Sequence, residues 1–236
     1  MEVIFDILRR KNKEDRPYHQ RIPFSTDDEN ETVATALLKI NSQTPYRDEQ
    51  GNVIAKISWE AGCLQKKCGA CAMLINHRPA LACDSFLKDA ISKKNRVITL
   101  EPLSKFPVIK DLVTDRSVLF ENLKTLRVWS EENAEIKEKD LDRAYEASLC
   151  LQCGCCLEIC PNYSPEKLFF GAAGFAPQAR LIAAFTKEDQ SRLRKLYQKH
   201  IYSGCGKALS CIKVCPARID LDHLLSRSNA ISVWRR

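Results

Sequence analysis

The spacing of the cysteines constrains this chain more than any other feature of its sequence. Eleven of its twelve cysteines fall into three runs. The first run has the pattern C-x4-C-x2-C-x11-C and consists of Cys63, Cys68, Cys71 and Cys83. The second has the pattern C-x2-C-x2-C-x3-C-P and consists of Cys150, Cys153, Cys156 and Cys160. The third, C-x5-C-x3-C-P, consists of Cys205, Cys211 and Cys215, with Ala208 where the second run has its second cysteine.

Composition and the N-terminal residues indicate that these cysteines bind metal. No apolar run approaches the roughly 20 residues of a membrane helix. Arg9-Arg10 is followed by Lys11-Asn12-Lys13-Glu14, so the pair does not resemble a twin-arginine signal. We therefore expect a cytoplasmic protein, whose thiols stay reduced and seldom form disulfides. The formal charge of +7 predicts a solvated basic surface, and the absence of a recognisable basic and aromatic motif argues against nucleic acid as a partner.

The first run predicts a [2Fe–2S] cluster. C-x4-C-x2-C with a distant fourth cysteine is the spacing of plant-type ferredoxins. Three thiolates must converge within nine residues, and Gly62 and Gly69 permit the tight turns that this requires. Zinc sites usually contain two C-x2-C pairs, whereas this run contains one. We predict that the four cysteines of this run, Cys63, Cys68, Cys71 and Cys83, bind a [2Fe–2S] cluster, with a zinc site as the alternative.

The second and third runs predict two more clusters. In bacterial ferredoxins with this spacing, the fourth cysteine binds the neighbouring cluster. When the last cysteine of each run is assigned to the cluster of the other run, one cluster has four thiolates and the other has three. The set of four, predicted to hold a [4Fe–4S] cluster, is Cys150, Cys153, Cys156 and Cys215. The set of three, predicted to hold a [3Fe–4S] cluster because Ala208 has no ligand atom, is Cys160, Cys205 and Cys211. A [4Fe–4S] cluster completed by water or another side chain is the alternative at the second site.

The remaining cysteine, Cys155, lies beside Cys156, but only Cys156 keeps the spacing on both sides. We predict that Cys155 is a buried and inert thiol.

The two halves of the chain differ in hydrophobic periodicity, and they predict a domain of residues 1–104 and a domain of residues 105–236. The first half predicts a small α+β domain, because strands at Val3–Leu8, Tyr18–Phe24, Ala72–Ile75 and Arg96–Leu100 accompany a helix that begins at Val33. The segment Pro102–Pro107 is the expected boundary.

The second half predicts an all-α domain. Ser130 with Glu131 and Glu132 is typical of a helix start, and a helical face from Leu141 to Leu149 leads into Cys150. Further helix starts are predicted at three positions, Ser164, Pro177 and Asp220.

These residues resemble the iron–sulfur subunit of succinate dehydrogenase and fumarate reductase, the complex II family. The first-cluster loop of that family is similar to Gly69-Ala70-Cys71-Ala72-Met73 and Leu81-Ala82-Cys83. Its interdomain segment resembles residues 106–113, and its second-domain ligand runs resemble residues 150–161 and 205–216, including the missing cysteine at position 208. The resemblance covers nearly the whole chain.

The resemblance implies a β-grasp plant-type ferredoxin domain followed by a helical bacterial-type ferredoxin domain. It implies a flavoprotein subunit with FAD that oxidises succinate or reduces fumarate, and a membrane anchor, with or without haem, where quinone reacts. Electrons would pass between FAD and quinone through the [2Fe–2S], [4Fe–4S] and [3Fe–4S] clusters in turn. The chain would have no catalytic residues of its own, and would lie peripherally on the cytoplasmic face of the cell membrane.

Two departures from the family pattern concern the quinone site. Many relatives have two adjacent tryptophans where this chain reads Asn162-Tyr163-Ser164-Pro165-Glu166, and many have His where it has Gly206. These departures predict a menaquinone-type enzyme, or a quinone site that lies wholly in the anchor.

Other functions remain open at this point. One alternative is the same module on a different flavoprotein, as in a thiol-linked fumarate reductase or another organic-acid dehydrogenase. A free-standing electron carrier and a zinc-stabilised scaffold are the further alternatives.

Overall fold

The computed structural model describes residues 1–43, 45–92, 94–129, 138–182 and 187–234. They form two compact units, Met1–Asp115 and Arg116–Arg236. The first unit contains a sheet and short helices, and the described part of the second contains helices and no strand. The predicted fold class, α+β with a β-grasp domain followed by a helical domain, is confirmed. Within the described ranges, no helix combines the length and the apolar character needed to cross a bilayer.

The first unit is built on a five-stranded mixed sheet with the order β2-β1-β5-β3-β4. The strands are β1 (Glu2–Arg9), β2 (Tyr18–Ser25), β3 (Ala72–Ile75), β4 (Arg78–Leu81) and β5 (Val97–Glu101). β1 runs parallel to β5, and the other neighbouring pairs are antiparallel. The unit also contains α1 (Val33–Ser42), α2 (Leu87–Ala90) and a hairpin of β6 (Val108–Lys110) and β7 (Val113–Thr114).

Alternation and capping explain the first elements of this unit. Val3, Phe5 and Ile7 of β1 are buried, and the residues between them are more exposed, as period two requires. α1 begins after a capping box, in which the hydroxyls of Thr32 and Thr35 each accept a hydrogen bond from the other residue's backbone N–H. The strands predicted near Val3, Tyr18, Ala72 and Arg96 and the helix at Val33 are all present.

The first compact unit extends through Asp115, and the domain boundary after residue 104 stays a prediction. The buried carboxylate of Asp111 explains why the segment after residue 104 packs with this unit. Arg9 Nε donates to Asp111 Oδ1 at 2.9 Å, and the backbone N–H groups of Arg10 and Ser58 also donate to this carboxylate. Because a buried carboxylate needs such partners, the β6–β7 hairpin belongs to the first unit.

The second unit is a group of helices around a buried central helix. The helices are α3 (Ser117–Leu126), α4 (Glu138–Ser148), α5 (Cys155–Glu158), α6 (Gly171–Leu181), α7 (Lys187–His200) and α8 (Leu221–Asn229), followed by a π-helical turn at Ala230–Trp234. α6 is buried along almost its whole length, and it packs against α3, α4, α5 and α8. Its small residues allow this close approach: a Cβ at Gly174 would lie 3.2 Å from Cδ1 of Leu126 in α3.

Several predicted features of the second half were wrong. Ser164 begins a single turn and not a helix, because the chain then brings Phe169 and Phe170 into the interior. Pro177 does not open a helix; it lies inside α6. The predicted face of α4 is wrong in part, since Leu141 and Tyr145 are exposed, whereas Ala144 of that face is buried together with Ala147. The predicted helix at Asp220 is present, as α8. Ser130, Glu131 and Glu132 lie outside the described residues.

Candidate iron–sulfur cluster sites

The loop between α1 and β3 brings the four thiols of the first run together. Backbone N–H groups of this loop donate to three of the sulfurs. Cys63 Sγ accepts from Gln65 N at 3.3 Å and from Lys67 N at 3.2 Å. Cys68 Sγ accepts from Ala70 N and Cys63 N, both at 3.5 Å. Cys83 Sγ accepts from Lys66 N at 3.3 Å, which joins the distant cysteine to the loop.

The loop depends on an unusual backbone path. Leu64, Lys66 and Gly69 have φ values of 55°, 58° and 73°. Gly62 is needed for a different reason, because a Cβ there would lie 3.0 Å from Cys68 Sγ. The sequence thus singled out the right two glycines, one for its conformation and one for the close approach of a sulfur.

The surroundings of these thiols favour different protonation states. The backbone N–H donors of Gln65 and Lys67 lower the pKa of Cys63 to about 7. Burial raises the pKa of Cys71 to about 12, and the nearby Cys83 and Cys68 contribute to this rise. The thiolate is the form that binds iron, and inward N–H groups stabilise its charge. This donor set therefore fits a [2Fe–2S] cluster on the four thiols of the first run.

The second unit contains a cavity lined by all four thiols predicted to hold the [4Fe–4S] cluster. Its thiols are Cys150, Cys153, Cys156 and Cys215. The rest of its wall is largely apolar and includes Ala172, Ala173 and Ala176 of α6. A buried, apolar chamber with four thiols fits a cluster whose sulfur atoms tolerate apolar surroundings.

The twelfth cysteine lies beside this cavity. Cys155 is fully buried, as predicted, and does not line the cavity. Its side chain forms a hydrogen bond with Cys153, which together with backbone donors and Arg116 lowers the pKa of Cys153 to about 7. Arg116 Nη1 also donates to the carbonyl oxygen of Cys153 at 3.2 Å.

A second cavity is lined by the three thiols predicted to hold the [3Fe–4S] cluster. Its thiols are Cys160, Cys205 and Cys211, together with Cys156, which belongs to the set of four. Ala208 lies in its wall, at the position where a fourth cysteine would stand. Cys156 and Ala172 line both cavities, so the two chambers adjoin. That these thiols bind the iron of three clusters stays a prediction.

Asn162 and Gly206 lie close together in the wall of the second cavity. Asn162 Nδ2 donates to the carbonyl oxygen of Gly204 at 3.1 Å. A Cβ at Gly206 would lie 2.6 Å from the same nitrogen. The two departures from the family pattern, at residues 162 and 206, are therefore coupled sterically. Tyr163 is buried but does not line this cavity.

Sequence reasoning missed Gln152, which lines the first cavity. Its Nε2 lies 3.2 Å from Cys150 Sγ. Two features of the sequence could have indicated its role. Gln152 is a long amide side chain between the predicted ligands Cys150 and Cys153, and Pro177 lies within a helical pattern that then lacks one backbone donor.

The described residues contain no group of three or more His, Cys, Asp or Glu side chains close enough to hold a single metal ion. In a cubic cluster each thiolate binds a different iron, so the ligands need not meet at one point.

Two family models match the chain. A 2Fe-2S iron-sulfur cluster binding domain matches residues 4–121, and a 4Fe-4S dicluster domain matches residues 146–219. These matches support the [2Fe–2S] and [4Fe–4S] cofactors.

Named relatives match three quarters or more of the chain. The succinate dehydrogenase iron-sulfur subunit of Bacillus subtilis is 32% identical over 96% of this chain and 91% of its own length. The fumarate reductase iron-sulfur subunit of Wolinella succinogenes is 31% identical over 75% of this chain and 79% of its own length. A chain of the Mycobacterium smegmatis Sdh1 complex in the apo form has the same fold, with a TM-score of 0.74, 20% identity and coverage of 97% and 95%. The chain belongs to the family of iron–sulfur subunits of succinate dehydrogenase and fumarate reductase.

Proposed function

We propose that this chain is the electron-transfer subunit of a succinate:quinone oxidoreductase, working as a succinate dehydrogenase or a quinol:fumarate reductase. Its three cysteine sets would hold [2Fe–2S], [4Fe–4S] and [3Fe–4S] clusters between a FAD-containing flavoprotein and membrane quinone. Bound clusters supply one-electron transfer. The chain itself positions the thiolates, directs backbone N–H groups at the sulfurs and excludes water from the second unit.

The observation that carries this proposal is the pair of adjoining cavities in the second unit. One is lined by four thiols, and the other by Cys160, Cys205, Cys211 and Ala208, with Cys156 in the wall between them. The shared wall of Cys156 and Ala172 would leave only a short gap between two cofactors, which suits electron transfer from one to the other. Neither chamber needs a substrate-binding residue for that role.

The incomplete ligand set suggests which end of the path accepts electrons. A site with three thiolates carries less negative charge than one with four, so less repulsion opposes an incoming electron, and cluster potential depends on net charge. We therefore infer that the cavity of Cys160, Cys205 and Cys211 holds the cluster of higher potential and lies on the quinone side of the path.

The partners follow from the same proposal. They are a flavoprotein with FAD and a membrane anchor, with or without haem, that holds this chain peripherally at the cytoplasmic face of the cell membrane. The proposed quinone is menaquinone, because residues 162–166 lack the two adjacent tryptophans found in many relatives and Gly206 stands where many have His. A quinone site wholly in the anchor is the alternative. The side-chain nitrogen of Asn162 donates a hydrogen bond to the carbonyl oxygen of Gly204.

Anaerobic purification with metal analysis and spectroscopy tests the proposal. We expect about nine iron atoms per chain and three paramagnetic species, one of each cluster type. Far fewer irons, or only two species, would contradict it. Co-purification of a flavoprotein with a membrane anchor distinguishes the quinone-linked enzyme from the same module on a soluble flavoprotein, and from a free-standing carrier that purifies alone.

A further inference from the structure

The side chain of Gln152 joins a predicted cluster ligand to a break in the central helix. Gln152 Nε2 lies 3.2 Å from Cys150 Sγ and 3.0 Å from the carbonyl oxygen of Ala173. A carboxamide nitrogen carries two hydrogens, so it can donate to both acceptors at once. Gln152 also has a left-handed backbone, with φ at 51°, in the turn between Cys150 and Cys153.

The carbonyl of Ala173 needs this donor because of Pro177. In an α-helix the carbonyl of residue 173 would accept from the N–H of residue 177, and proline has no N–H. Pro177 lies inside α6, and it leaves the Ala173 carbonyl without its helical donor. The Gln152 amide supplies the replacement from outside the helix.

The orientation of the amide is fixed by its two acceptors. If the amide were reversed, its oxygen would face the carbonyl oxygen of Ala173, which cannot donate, and a sulfur that cannot donate once it is a ligand thiolate. In the present orientation Gln152 Oε1 is buried and has no hydrogen-bond partner. Leaving a buried amide oxygen unpaired has a free-energy cost, and such groups often mark functional sites.

We propose that Gln152 raises the reduction potential of the [4Fe–4S] cluster by donating a hydrogen bond to the Cys150 thiolate, and that Pro177 holds the Gln152 amide in place. The inference rests on the proposed assignment of that cluster to the cavity of Cys150, Cys153, Cys156 and Cys215. Adding one electron increases the negative charge on the ligand sulfurs. A donor to a sulfur therefore stabilises the reduced form more than the oxidised form, and hydrogen bonds to the sulfurs are known determinants of cluster potential.

Gln152→Leu tests the hydrogen bond in the intact, cluster-loaded complex. Leucine keeps much of the side-chain volume and removes the donor. We expect the equilibrium constant for one-electron reduction of the [4Fe–4S] cluster to fall about tenfold, which lowers its potential by about 59 mV. The measurement is a potentiometric titration followed by EPR, in which the [2Fe–2S] cluster of the first unit serves as an internal reference and should not shift.

Pro177→Ala tests the second half of the inference without touching a predicted ligand. It restores an N–H that competes for the Ala173 carbonyl, so the Gln152 amide loses part of its support. We expect a smaller fall in the same potential. In the Gln152→Leu background, Pro177→Ala should cause no further shift, because the amide through which it acts is gone.

Gln198→Leu is the matched control. Gln198 Nε2 donates to the carbonyl oxygen of Ser232 at 2.7 Å, and Gln198 lines neither cavity. The same chemical change there should leave the [4Fe–4S] potential unaltered.

The outcomes separate the inference from the function on which it rests. A wild-type protein without a four-iron signal would overturn the proposed function, and the inference with it. A wild-type protein with that signal, whose potential is the same in Gln152→Leu, would overturn the inference alone. If Gln152→Leu does not retain its cluster, Pro177→Ala decides: a lowered potential supports the inference, and an unchanged one overturns it.

Discussion

The two units surround their cysteines in different ways. In the first unit, three of the four thiols come from one surface loop, and its backbone N–H groups face the sulfurs. Cys68 of that loop is exposed. In the second unit, the thiols come from two runs more than forty residues apart and line chambers next to the buried helix α6.

The two sites therefore place different requirements on the fold. A loop with the right local backbone largely builds the first site, and the turn after β4 adds only Cys83. The chambers of the second unit exist only when α6 and both cysteine runs are packed together. A local change should therefore stay local in the first unit and spread between the two cavities in the second.

Removing one ligand from each unit gives the largest expected effect. Cys83→Ala should remove the [2Fe–2S] signal alone, with a loss of about two irons. Cys215→Ala should remove the [4Fe–4S] signal and also reduce the [3Fe–4S] signal, because Cys156 and Ala172 line both cavities. Iron analysis and EPR of both variants check this. A four-iron signal that persists in Cys215→Ala would show that the predicted crossing of the two runs is wrong.

Ala208→Cys changes the type of one cluster without removing any ligand. Ala208 lies in the wall of the cavity of Cys160, Cys205 and Cys211, so a thiolate there would complete a set of four. We expect a [4Fe–4S] cluster in place of [3Fe–4S], a gain of about one iron per chain and a lower potential, because negative charge is added. Ala208→Ser is a matched control for side-chain size with a poorer ligand. The same cluster type before and after Ala208→Cys would contradict the assignment of position 208.

The cysteine sets were predictable because their spacing is a local property of the chain. The sequence also identified Gly62 and Gly69, since a tight loop of three thiolates needs a flexible backbone. The fold class followed from period-two alternation in β1 and from helical spacing after Val33. The ligand assignments themselves stay predictions, although each predicted set of thiols lies together in the structure.

The features that the sequence did not reveal depend on pairs that are distant in sequence or unusual in a helix. The first compact unit includes Asp111 because its partner Arg9 lies 102 residues away. Pro177 fits inside α6 because Gln152, on another segment, supplies the missing donor. The face of α4 was misjudged because Asp140 and Arg143 are buried as an ion pair at 2.9 Å. Hydrophobic periodicity cannot reveal such compensations.

Asp111→Asn tests whether the loop site of the first unit is supported from outside. Asp111 pairs with Arg9 at 2.9 Å, and both side chains are almost fully buried. The Arg9 guanidinium also donates to the carbonyl oxygens of Ala55 and Lys56, in the segment that leads to the loop. Breaking a buried ion pair by removing one charge costs about 3–5 kcal/mol of unfolding free energy.

Denaturant unfolding measures that cost, and Asp6→Asn is the control, since Asp6 pairs with the exposed His19. An exposed pair contributes about 0–1 kcal/mol. If Asp111→Asn and Asp6→Asn cost equally little, the loop does not depend on the buried pair. A weakened [2Fe–2S] signal in Asp111→Asn would in turn show that the site depends on contacts outside its own loop.

Gly206→Ala is the smallest change and probes how tightly the second unit packs around its chambers. The new Cβ would lie 2.6 Å from Asn162 Nδ2, so Asn162 must turn away and lose its hydrogen bond to Gly204. The loss of one such bond costs about 1 kcal/mol. In the Asn162→Ala background the same substitution should cost almost nothing, since the clashing amide is absent, and the double-mutant cycle isolates this coupling.

Gly204→Ala should be more damaging than Gly206→Ala, because its Cβ would lie 2.5 Å from the buried ring of Phe169, which cannot turn away as an amide can. If both substitutions lower the free energy of unfolding equally, the wall of this cavity deforms as easily as the exposed loop of the first unit.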